Sequence, residues 1–234
     1  MKMRLPEITL RLGSRSSVPA TGWLTKSNAH VLQQHVWPVR KVAASNGRYC
    51  GITMSREGRF LSRVLRHEPE LLGLTLKPGG WVEVDLLLRA LRRAGRGMSR
   101  GHLVRLVADD NKRRFTLSEG GERIRAAQGH SLAVDLTLAP QSPPAVLYHG
   151  TNRQSLDSIF QSGLLSGRRQ FVHLSADVDT ALDVGTRHGK PIVLSVEAGA
   201  MSRGGHQFWV ADNGVWLTRQ VPAQFLAFAP RHDP

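Results

Sequence analysis

The sequence predicts an α+β protein with two lobes that follow a basic N-terminal extension. Helical and strand-like periodicities begin after residue 53, and a Pro-rich run at 140–144 divides the remaining chain. Short strands outnumber helices beyond that run, which favours a mixed α+β sandwich over a doubly wound sheet. We therefore assign an extension to 1–53, a first lobe to 54–139 and a second lobe to 140–234.

The extension over 1–53 has no sustained hydrophobic periodicity and carries eight basic residues against one acidic residue. Polar segments of this kind are usually disordered, and we interpret it as a disordered extension with no function of its own. Three alternatives stay open. The first alternative is a transit peptide, which has a similar Arg-rich and acid-poor composition. The second is a flexible arm that contacts an RNA backbone. The third is an over-long gene prediction, since Met54 begins a sequence typical of a domain start.

The first lobe opens with a predicted helix. Ser55 is a suitable N-cap, apolar residues recur at helical spacing over 60–65, and Pro69 limits the extension of the helix. A turn at 79–80, formed by two glycines, then precedes a short alternating strand over 81–84.

Two further helices and a hairpin complete this lobe. Asp85 is the predicted N-cap of a helix over 86–94, and Ser99 is that of a helix over 100–108. Helix, strand, two helices and a hairpin follow the order of a winged helix, and the basic residues along them suit contacts with nucleic-acid phosphates. A solvated charged face is the alternative for each single basic residue. The predicted hairpin strands are 113–118 and 123–128.

The second lobe begins with a predicted buried strand over 145–149 that ends in a His-Gly-Thr sequence. Asn152 or Thr151 caps the next helix, and Gly163 ends it. Asp177 caps a later helix that runs to about residue 188. The inward side chains of the first of these helices are Leu156, Ile159 and Phe160. The further predicted strands are 172–174, 191–197, 208–210, 215–217 and 225–228.

The net charge indicates a polyanionic partner. Lys and Arg total 32 against 18 Asp and Glu, a formal charge of +14 at pH 7, which is typical of proteins that bind nucleic acid or nucleotide phosphates. A basic surface adapted to the host proteome is the alternative. The single cysteine, Cys50, excludes a disulfide framework and a metal site built on several thiolates. We also expect no membrane span, no secretory signal and neither standard Gly-rich nucleotide loop.

Four short sequences combine groups that bind and transfer phosphate. Arginine is always protonated and holds phosphate oxygens in a bidentate manner, and histidine exchanges a proton near neutral pH. Each sequence alone is weak evidence, because Arg and His are mostly exposed or structural residues. The four are Arg66-His67, Asn111-Lys112-Arg113-Arg114, His149-Gly150-Thr151, and Arg168-Arg169 followed by Val172-His173-Leu174-Ser175.

Eight motifs follow one another along the chain, and they are LSRVLRHEP, GWVEV, DDNKRRFTLS, RIRAAQGHS, LYHGT, GL…RRQFVHLS, RHGKPIVLSVEA and NGVWLT. Their order and spacing, from about Ser55 to Ala229, resemble the RNA 2′-phosphotransferase family of the KptA/tRNA 2′-phosphotransferase type. The resemblance implies a winged-helix lobe that binds RNA and an ADP-ribosyltransferase-like lobe that binds NAD.

The resemblance further implies an NAD-dependent enzyme that removes an internal 2′-phosphate from RNA without a metal. The 2′-phosphate attacks C1″ of the nicotinamide ribose and expels nicotinamide, giving a 2′-phospho-ADP-ribosylated RNA. Ribose O2″ then attacks the phosphorus, and the products are RNA with a 2′-OH and ADP-ribose 1″,2″-cyclic phosphate. We accordingly expect a cytoplasmic enzyme of the tRNA-splicing type whose partners are RNA and NAD. The physiological RNA and the oligomeric state stay open, with a monomer favoured.

The resemblance also implies four catalytic residues. The family's essential Arg-His pair falls on Arg66 and His67. A further essential arginine falls on Arg114, with Arg113 as the alternative one step away. The last essential arginine falls on Arg169.

A second group of residues is implied to bind NAD. Family members often have His where this chain has Phe171, which leaves a role for that position open. His173 and Val215 resemble the second and third positions of the family's His-His-Val version of the transferase triad. The implied NAD-binding residues are His149, Gly150, Thr151, Ile159, Gly163, Leu164, His173, Ser175, Gly185, Arg187 and Val215.

Two other classes of function remain open. The second lobe could ADP-ribosylate a terminal phosphate of nucleic acid or a protein side chain, although the three arginines and His67 favour phosphate release. The chain could instead be a winged-helix regulator that binds nucleic acid without catalysis, or a family member without activity. Turnover of NAD distinguishes the enzymes from the binding module.

Overall fold

The computed structural model of the protein describes residues 54–186 and 190–230. This part of the chain forms a mixed α/β fold with six α-helices and eleven short β-strands in small antiparallel sheets. None of its helices is long and apolar enough to cross a membrane. The extension predicted over 1–53 and the candidate site residue Arg187 lie outside the described residues.

Helix α1 spans Arg56–Arg66 and begins where the sequence predicts. The Ser55 hydroxyl accepts a hydrogen bond of 3.0 Å from the Gly58 amide, which is the usual N-cap arrangement. His67 is the C-cap residue. The last turn therefore places Arg66 and His67 next to each other at the C-terminal end of the helix.

Helix α2 spans Val84–Arg93, and the prediction that Asp85 caps it is wrong. The N-cap is Glu83, which makes no side-chain capping bond, and Asp85 in the first turn pairs with Arg100 at 2.8 Å. The helix begins two residues earlier than expected because its first amide donates a 2.7 Å hydrogen bond to the Glu122 carbonyl. That contact lies far along the chain and leaves no local signal.

Helix α3 spans Arg100–Ala108, and the Ser99 hydroxyl caps it as predicted. The predicted hairpin is present as β2 (Phe115–Leu117) and β3 (Arg123–Ala126). The short strand β1 (Val82–Glu83) adds to the hairpin in the order β1-β3-β2. These elements enclose the first hydrophobic core, which the apolar faces of the three helices fill.

Three further sheets surround the second hydrophobic core. Two of them are three-stranded and one is a two-stranded pair. Their strands are β4 (Leu147–Asn152), β5 (Leu164–Leu165), β6 (Val172–Leu174), β7 (Pro191–Val196), β8 (Phe208–Val210), β9 (Trp216–Thr218), β10 (Gln220–Val221) and β11 (Leu226–Phe228). The orders are β11-β7-β4, β6-β9-β8 and β10-β5.

The two three-stranded sheets are joined at Tyr148 and Ser175. These residues exchange two backbone hydrogen bonds, of 2.9 and 2.8 Å. The link brings β4 beside β6, so that His149 and His173 become neighbours. Strand β4 continues through the His-Gly-Thr sequence to Asn152, beyond the predicted end at residue 149, because these residues pair with β7.

Helix α4 spans Leu156–Ser162, and Gly163 ends it as predicted. Of the two predicted caps, Asn152 accepts a 3.0 Å bond from the Ser155 amide, but this caps the 3-10 turn Arg153–Ser155, and α4 follows it without a side-chain cap of its own. The prediction that Phe160 faces inward is wrong, because its side chain is 37% exposed and packs on the Phe228 ring at the surface.

The other two helices differ in how well the sequence predicts them. Helix α5 (Val178–Gly185) has the predicted cap, since the Asp177 side chain accepts a 2.7 Å bond from the Thr180 amide. Helix α6 (Ala198–Arg203) is not predicted by the sequence, because it has only six residues and no side-chain cap. The two cores lie on either side of the Pro-rich run, and the lobe boundaries stay a prediction.

Candidate active site

Arg66 is half-buried at the end of α1, and two nitrogens of its guanidinium lack partners in the described chain. Nε and Nη2 have no hydrogen-bond partner within the described residues. Burial, and then the positive charges of Arg169 and Arg114, lower the pKa of Arg66 to about 10, while the carboxylate of Asp110 opposes this shift. Buried donors without partners are rare in folded proteins, and at an arginine they indicate a site for an anion.

His67 lies next to Arg66 and is held by Ser131. The His67 Nδ1 and Ser131 Oγ atoms are 2.9 Å apart, and the Ser131 amide donates a 3.0 Å bond to the Arg66 carbonyl. Burial lowers the pKa of His67, and the charges of Arg66 and Arg169 lower it further. His67 is therefore neutral near pH 7 until a bound anion offsets these charges.

Arg114 and Arg113 point to different partners, although they are adjacent. Arg114 pairs with the carboxylate of Asp110, and its backbone amide donates to the same group at 2.7 Å. Arg113 has a positive φ of 45° and donates from Nη2 to the Asp212 carbonyl at 2.9 Å. The charge of Arg114 reaches Arg66, so the geometry favours Arg114 over Arg113 as the site arginine.

Arg169 is exposed and approaches the cluster from the second core. Its Nη1 lies 3.4 Å from His173 Nδ1, and its charge lowers the pKa of Arg66 and of His67. The residue that follows Arg169 contacts the first half of the chain, because the Gln170 amide donates a 3.0 Å bond to the His130 carbonyl. The two halves of the described chain thus both supply cations to one place.

His149 and His173 lie side by side on β4 and β6. His149 Nδ1 is 3.1 Å from the His173 carbonyl, and since a carbonyl only accepts, Nδ1 carries the proton and Nε2 is an acceptor. Arg169 only donates, so His173 Nδ1 accepts and Nε2 carries the proton. That Nε2 is buried without a partner in the described chain. Burial is the main reason that the pKa of His149 is lowered and that the pKa of His173 falls to about 3.

Gly150 occupies a position where the backbone of β4 meets α5. A Cβ placed on Gly150 would lie 1.7 Å from the Ala181 carbonyl oxygen and 2.9 Å from the Gly185 amide nitrogen. Glycine in a ligand-binding sequence often lets the ligand approach the backbone, but here the close packing of a helix already requires it. Thr151, the next residue, is 7% exposed.

The other predicted NAD-binding residues take part in packing of the second core. Ile159 and Leu164 are core residues with 8% and 4% exposure. A Cβ on Gly163 would lie 2.2 Å from the Val221 carbonyl oxygen. Val215 closes the turn between β8 and β9, where its carbonyl accepts from the Ala211 amide at 2.9 Å. Gly185 contacts Thr151 at the end of α5, and Ser175 forms the sheet junction described above.

His130 belongs to this site and was not predicted from the sequence. It is 1% exposed, and both of its ring nitrogens lack a partner in the described chain. Burial, with the charges of Arg66, His67 and Arg125, lowers its pKa to about 4. The only local signal is its place in the RIRAAQGHS motif, directly before Ser131. Asp110, the buried carboxylate that pairs with Arg114, also went unpredicted.

The arrangement as a whole favours binding of a doubly charged phosphate. Three arginines and several neutral histidines converge, while among the described residues the carboxylate that acts on Arg66 is that of Asp110. Within 54–186 and 190–230, no group of three or more His, Cys, Asp or Glu side chains could hold a metal ion. The three arginines offer charge stabilisation to a reacting phosphate.

The fold and this cluster define a phosphate-binding protein of mixed α/β architecture. Residues 53–220 match the sequence profile described as RNA 2'-phosphotransferase, Tpt1 / KptA family. The chain belongs to this family, as the motifs in the sequence indicate.

Similar proteins from several bacteria carry the same description, "Probable RNA 2'-phosphotransferase". The protein of Pseudomonas paraeruginosa is 51% identical over 175 residues, which cover 74% of this chain and 96% of the relative. That of Streptomyces griseus is 53% identical over 175 residues, covering 72% and 93%. That of Agrobacterium fabrum is 54% identical over 168 residues, covering 72% and 90%.

An ion pair between Arg125 and Asp212 joins the hairpin of the first half to the β8–β9 turn. Arg125 Nε and Nη2 contact the two carboxylate oxygens at 2.8 and 2.5 Å, and the side chains are 13% and 23% exposed. The guanidinium also lies 4.6 Å from the centre of the Trp81 ring. The pair lies beside Arg113, which donates to the Asp212 carbonyl.

Asp212→Asn is expected to lower the free energy of unfolding by about 1.5–3 kcal/mol, the usual contribution of hydrogen bonds to charged groups. The matched control is Asp85→Asn, since Asp85 pairs with Arg100 at 2.8 Å but is 66% exposed. Its loss is expected to have a much smaller effect, because solvent screens an exposed ion pair. Urea unfolding of both variants measures the difference. Equal losses would contradict a special role for the Arg125–Asp212 pair.

The buried histidines predict acid sensitivity. In the folded protein the pKa values of His130 and His173 are about 4 and about 3, against 6.5 for an ordinary histidine. As the pH falls below 6.5, the unfolded chain takes up protons that the folded chain does not. The free energy of unfolding therefore falls towards pH 4, by up to about 1.4 kcal/mol per pH unit for each histidine.

Denaturation of the His130→Gln variant between pH 7.5 and 4.5 checks this expectation. Below pH 6.5 the variant is expected to lose stability less steeply than the unmodified protein, whereas above pH 7 the two slopes should agree. If the slopes agree at every pH, His130 does not contribute to acid sensitivity.

Proposed function

We propose that this protein removes an internal 2′-phosphate from RNA in an NAD-dependent reaction. The observation that supports this proposal is the cluster of three arginines at Arg66. The charges of Arg114 and Arg169 act on Arg66, whose buried Nε and Nη2 donors have no partner in the described chain. Family membership supplies the 2′-phosphate as the group to be removed. A 2′-phosphate carries a charge near −2 at neutral pH, which matches this cluster.

We assign RNA binding to the first half of the chain, as a winged helix. Its three helices and three-stranded sheet follow that element order, and α2 and α3 have basic residues in their last turns. We assign NAD binding to the second half, as an ADP-ribosyltransferase-like lobe. There His173 Nε2 is a buried donor without an internal partner, as expected of a group that binds the nucleotide.

NAD is the second substrate, and it supplies an activated ribose whose bond to nicotinamide breaks. The nucleophile is an oxygen of the 2′-phosphate, which needs positioning more than a base. Ribose O2″ then attacks the phosphorus of the resulting 2′-phospho-ADP-ribosylated RNA, and the RNA O2′ leaves. The phosphate ends as ADP-ribose 1″,2″-cyclic phosphate, and the RNA gains a 2′-OH proton.

The residues of this chain have distinct tasks in that scheme. Arg66, Arg114 and Arg169 offset the charge that gathers on the phosphoryl oxygens. His67 is neutral in the free protein, and the bound phosphate raises its pKa by offsetting the neighbouring cations. It can then donate a proton to the leaving O2′ or stabilise that anion. The neutral His149 and His173 add no positive charge near the departing cationic nicotinamide bond.

The test uses a short RNA with one internal 2′-phosphate, incubated with the protein with and without NAD and followed by mass. NAD-dependent loss of the phosphate, with ADP-ribose cyclic phosphate appearing, is expected. A stable gain of ADP-ribose would identify an ADP-ribosyltransferase for nucleic-acid phosphates instead. No change in the presence of NAD would favour a nucleic-acid-binding module without catalysis. We place the reaction in the cytoplasm and expect a monomer.

A further inference from the structure

One surface of the β6-β9-β8 sheet carries two aromatic rings and an arginine beside the candidate active site. The rings of Phe171 and Trp209 have centroids 5.2 Å apart and are inclined by 60°. The guanidinium of Arg219 lies over both rings, 4.9 Å from the Phe171 centroid and 5.8 Å from the Trp209 centroid. We call these three residues the aromatic–arginine platform.

Strand register places the platform on the same sheet face as His173. Leu217 on the central strand pairs with His173 on one side and with Trp209 on the other. Side chains directly opposite each other in a sheet share a face, and so do side chains two apart along a strand. Phe171 is two residues from His173, and Arg219 is two residues from Leu217. All five side chains therefore lie on one face.

The platform is the exposed part of its sheet face, on which Leu217 is 0% exposed, and the opposite face of the same strands is core. Phe171 and Trp209 are half-buried and Arg219 is exposed. Val172 and Phe208, which alternate with the platform residues along the strands, are 3% and 1% exposed. Adjacent aromatic rings and a guanidinium at a surface are the groups on which bases of single-stranded nucleic acid stack.

We propose that the aromatic–arginine platform stacks a nucleobase of the RNA substrate next to the 2′-phosphorylated nucleotide, an inference that rests on the proposed function. Phe171 lies two residues from His173, which is about 7 Å along an extended chain, and Arg169 Nη1 lies 3.4 Å from His173 Nδ1. Stacked nucleotides rise about 3.4 Å each, so the phosphate at Arg169 and a flanking base at Phe171 fit one strand of RNA. Arg219 adds positive charge beside the RNA backbone.

The experiment compares RNA oligonucleotides with one internal 2′-phosphate that differ in a single abasic nucleotide, placed 5′ or 3′ of the phosphate. For the unmodified protein, an abasic nucleotide on one of the two sides is expected to lower kcat/KM for RNA roughly 10-fold. Phe171→Leu and Trp209→Leu are expected to remove most of that difference. They should lower kcat/KM for the intact RNA and leave the KM for NAD unchanged.

Matched variants separate stacking from packing and from charge. Phe171→Tyr keeps the ring and is expected to keep the discrimination against abasic RNA. Arg219→Lys keeps the charge and is expected to lose part of the discrimination against abasic RNA. Arg203→Ala removes an exposed arginine of α6 and should leave this discrimination unchanged. A melting temperature for each variant shows whether the sheet is intact. If a leucine variant does not fold, Phe171→Tyr is compared with the unmodified protein instead.

Three outcomes overturn the platform proposal. The first is that the unmodified protein uses abasic and intact RNA equally. The second is that the platform variants lower kcat/KM equally for both RNAs. The third is that these variants raise the KM for NAD, which would place the adenine of NAD on the platform. If the unmodified protein releases no 2′-phosphate, the proposed function fails separately. Equilibrium binding of intact and abasic RNA to the same variants then tests the platform without catalysis, with loss of discrimination again the expected result.

Discussion

Arg66→Ala is expected to lower the rate of 2′-phosphate release by about 100- to 1000-fold, the usual effect of removing a group that stabilises charge in a transition state. Arg66 is the cation with unpaired donors at the centre of the site. The same substitution is expected to maintain or raise the free energy of unfolding, because burial and two neighbouring arginines oppose its charge. A stabilised but inactive variant is typical of a residue kept for function.

Arg66→Ala should slow the second step, in which the phosphate leaves the RNA, more than the first step. Charge gathers on the phosphoryl oxygens when ribose O2″ attacks the phosphorus, so Arg66→Ala and Arg169→Ala should both accumulate 2′-phospho-ADP-ribosylated RNA. Single-turnover reactions followed by mass separate the two steps. If both variants lose the first step as strongly as the second, the arginines act in binding the RNA phosphate rather than in releasing it.

Two other arginines serve as controls. Arg63 lies on the same helix but is 57% exposed and pairs with Glu68, so Arg63→Ala should leave both steps unchanged. Arg113→Ala removes the neighbour of Arg114, which donates to the Asp212 carbonyl instead of facing Arg66. A large loss of catalysis in Arg113→Ala together with full activity in Arg114→Ala would contradict the assignment of Arg114 to the site.

Local signals in the sequence predict those elements whose determinants lie within a few residues. Ser99 and Asp177 each accept a hydrogen bond from an amide three residues ahead, so the caps of α3 and α5 can be identified from spacing alone. The start of α2 depends on a hydrogen bond to the Glu122 carbonyl across the sheet. No local pattern encodes that bond, and Asp85 therefore resembles a cap without acting as one.

The site shows the same division. The candidate arginines and most of the candidate histidines are named from the motifs, because the family resemblance implies their positions in the chain. The choice between Arg113 and Arg114 needed the positive φ of Arg113, which turns the two side chains apart. The participation of His130 follows from its burial against Arg66 in the folded chain, and burial of a histidine in a polar loop cannot be deduced from sequence.

Gly150→Ala is expected to be the most damaging small substitution in the described chain. The new Cβ would lie 1.7 Å from the Ala181 carbonyl oxygen and 2.8 Å from its carbonyl carbon. Backbone atoms of a helix cannot rotate aside, so α5 must move away from β4. Overpacking of this severity should lower the free energy of unfolding by about 3 kcal/mol or more. Phosphate release should be lost with the fold, because His149 is adjacent.

Gly101→Ala is the matched control. Gly101 lies in α3, and a Cβ there would only meet the end of the Arg105 side chain, at 3.7 Å. Alanine favours a helix over glycine by about 1 kcal/mol, so this variant should be as stable as the unmodified protein or more so. Urea unfolding and NAD binding of both variants decide why position 150 is glycine. If Gly150→Ala keeps its stability and loses only NAD affinity, the glycine admits the ligand, and the close contact with α5 is not what requires it.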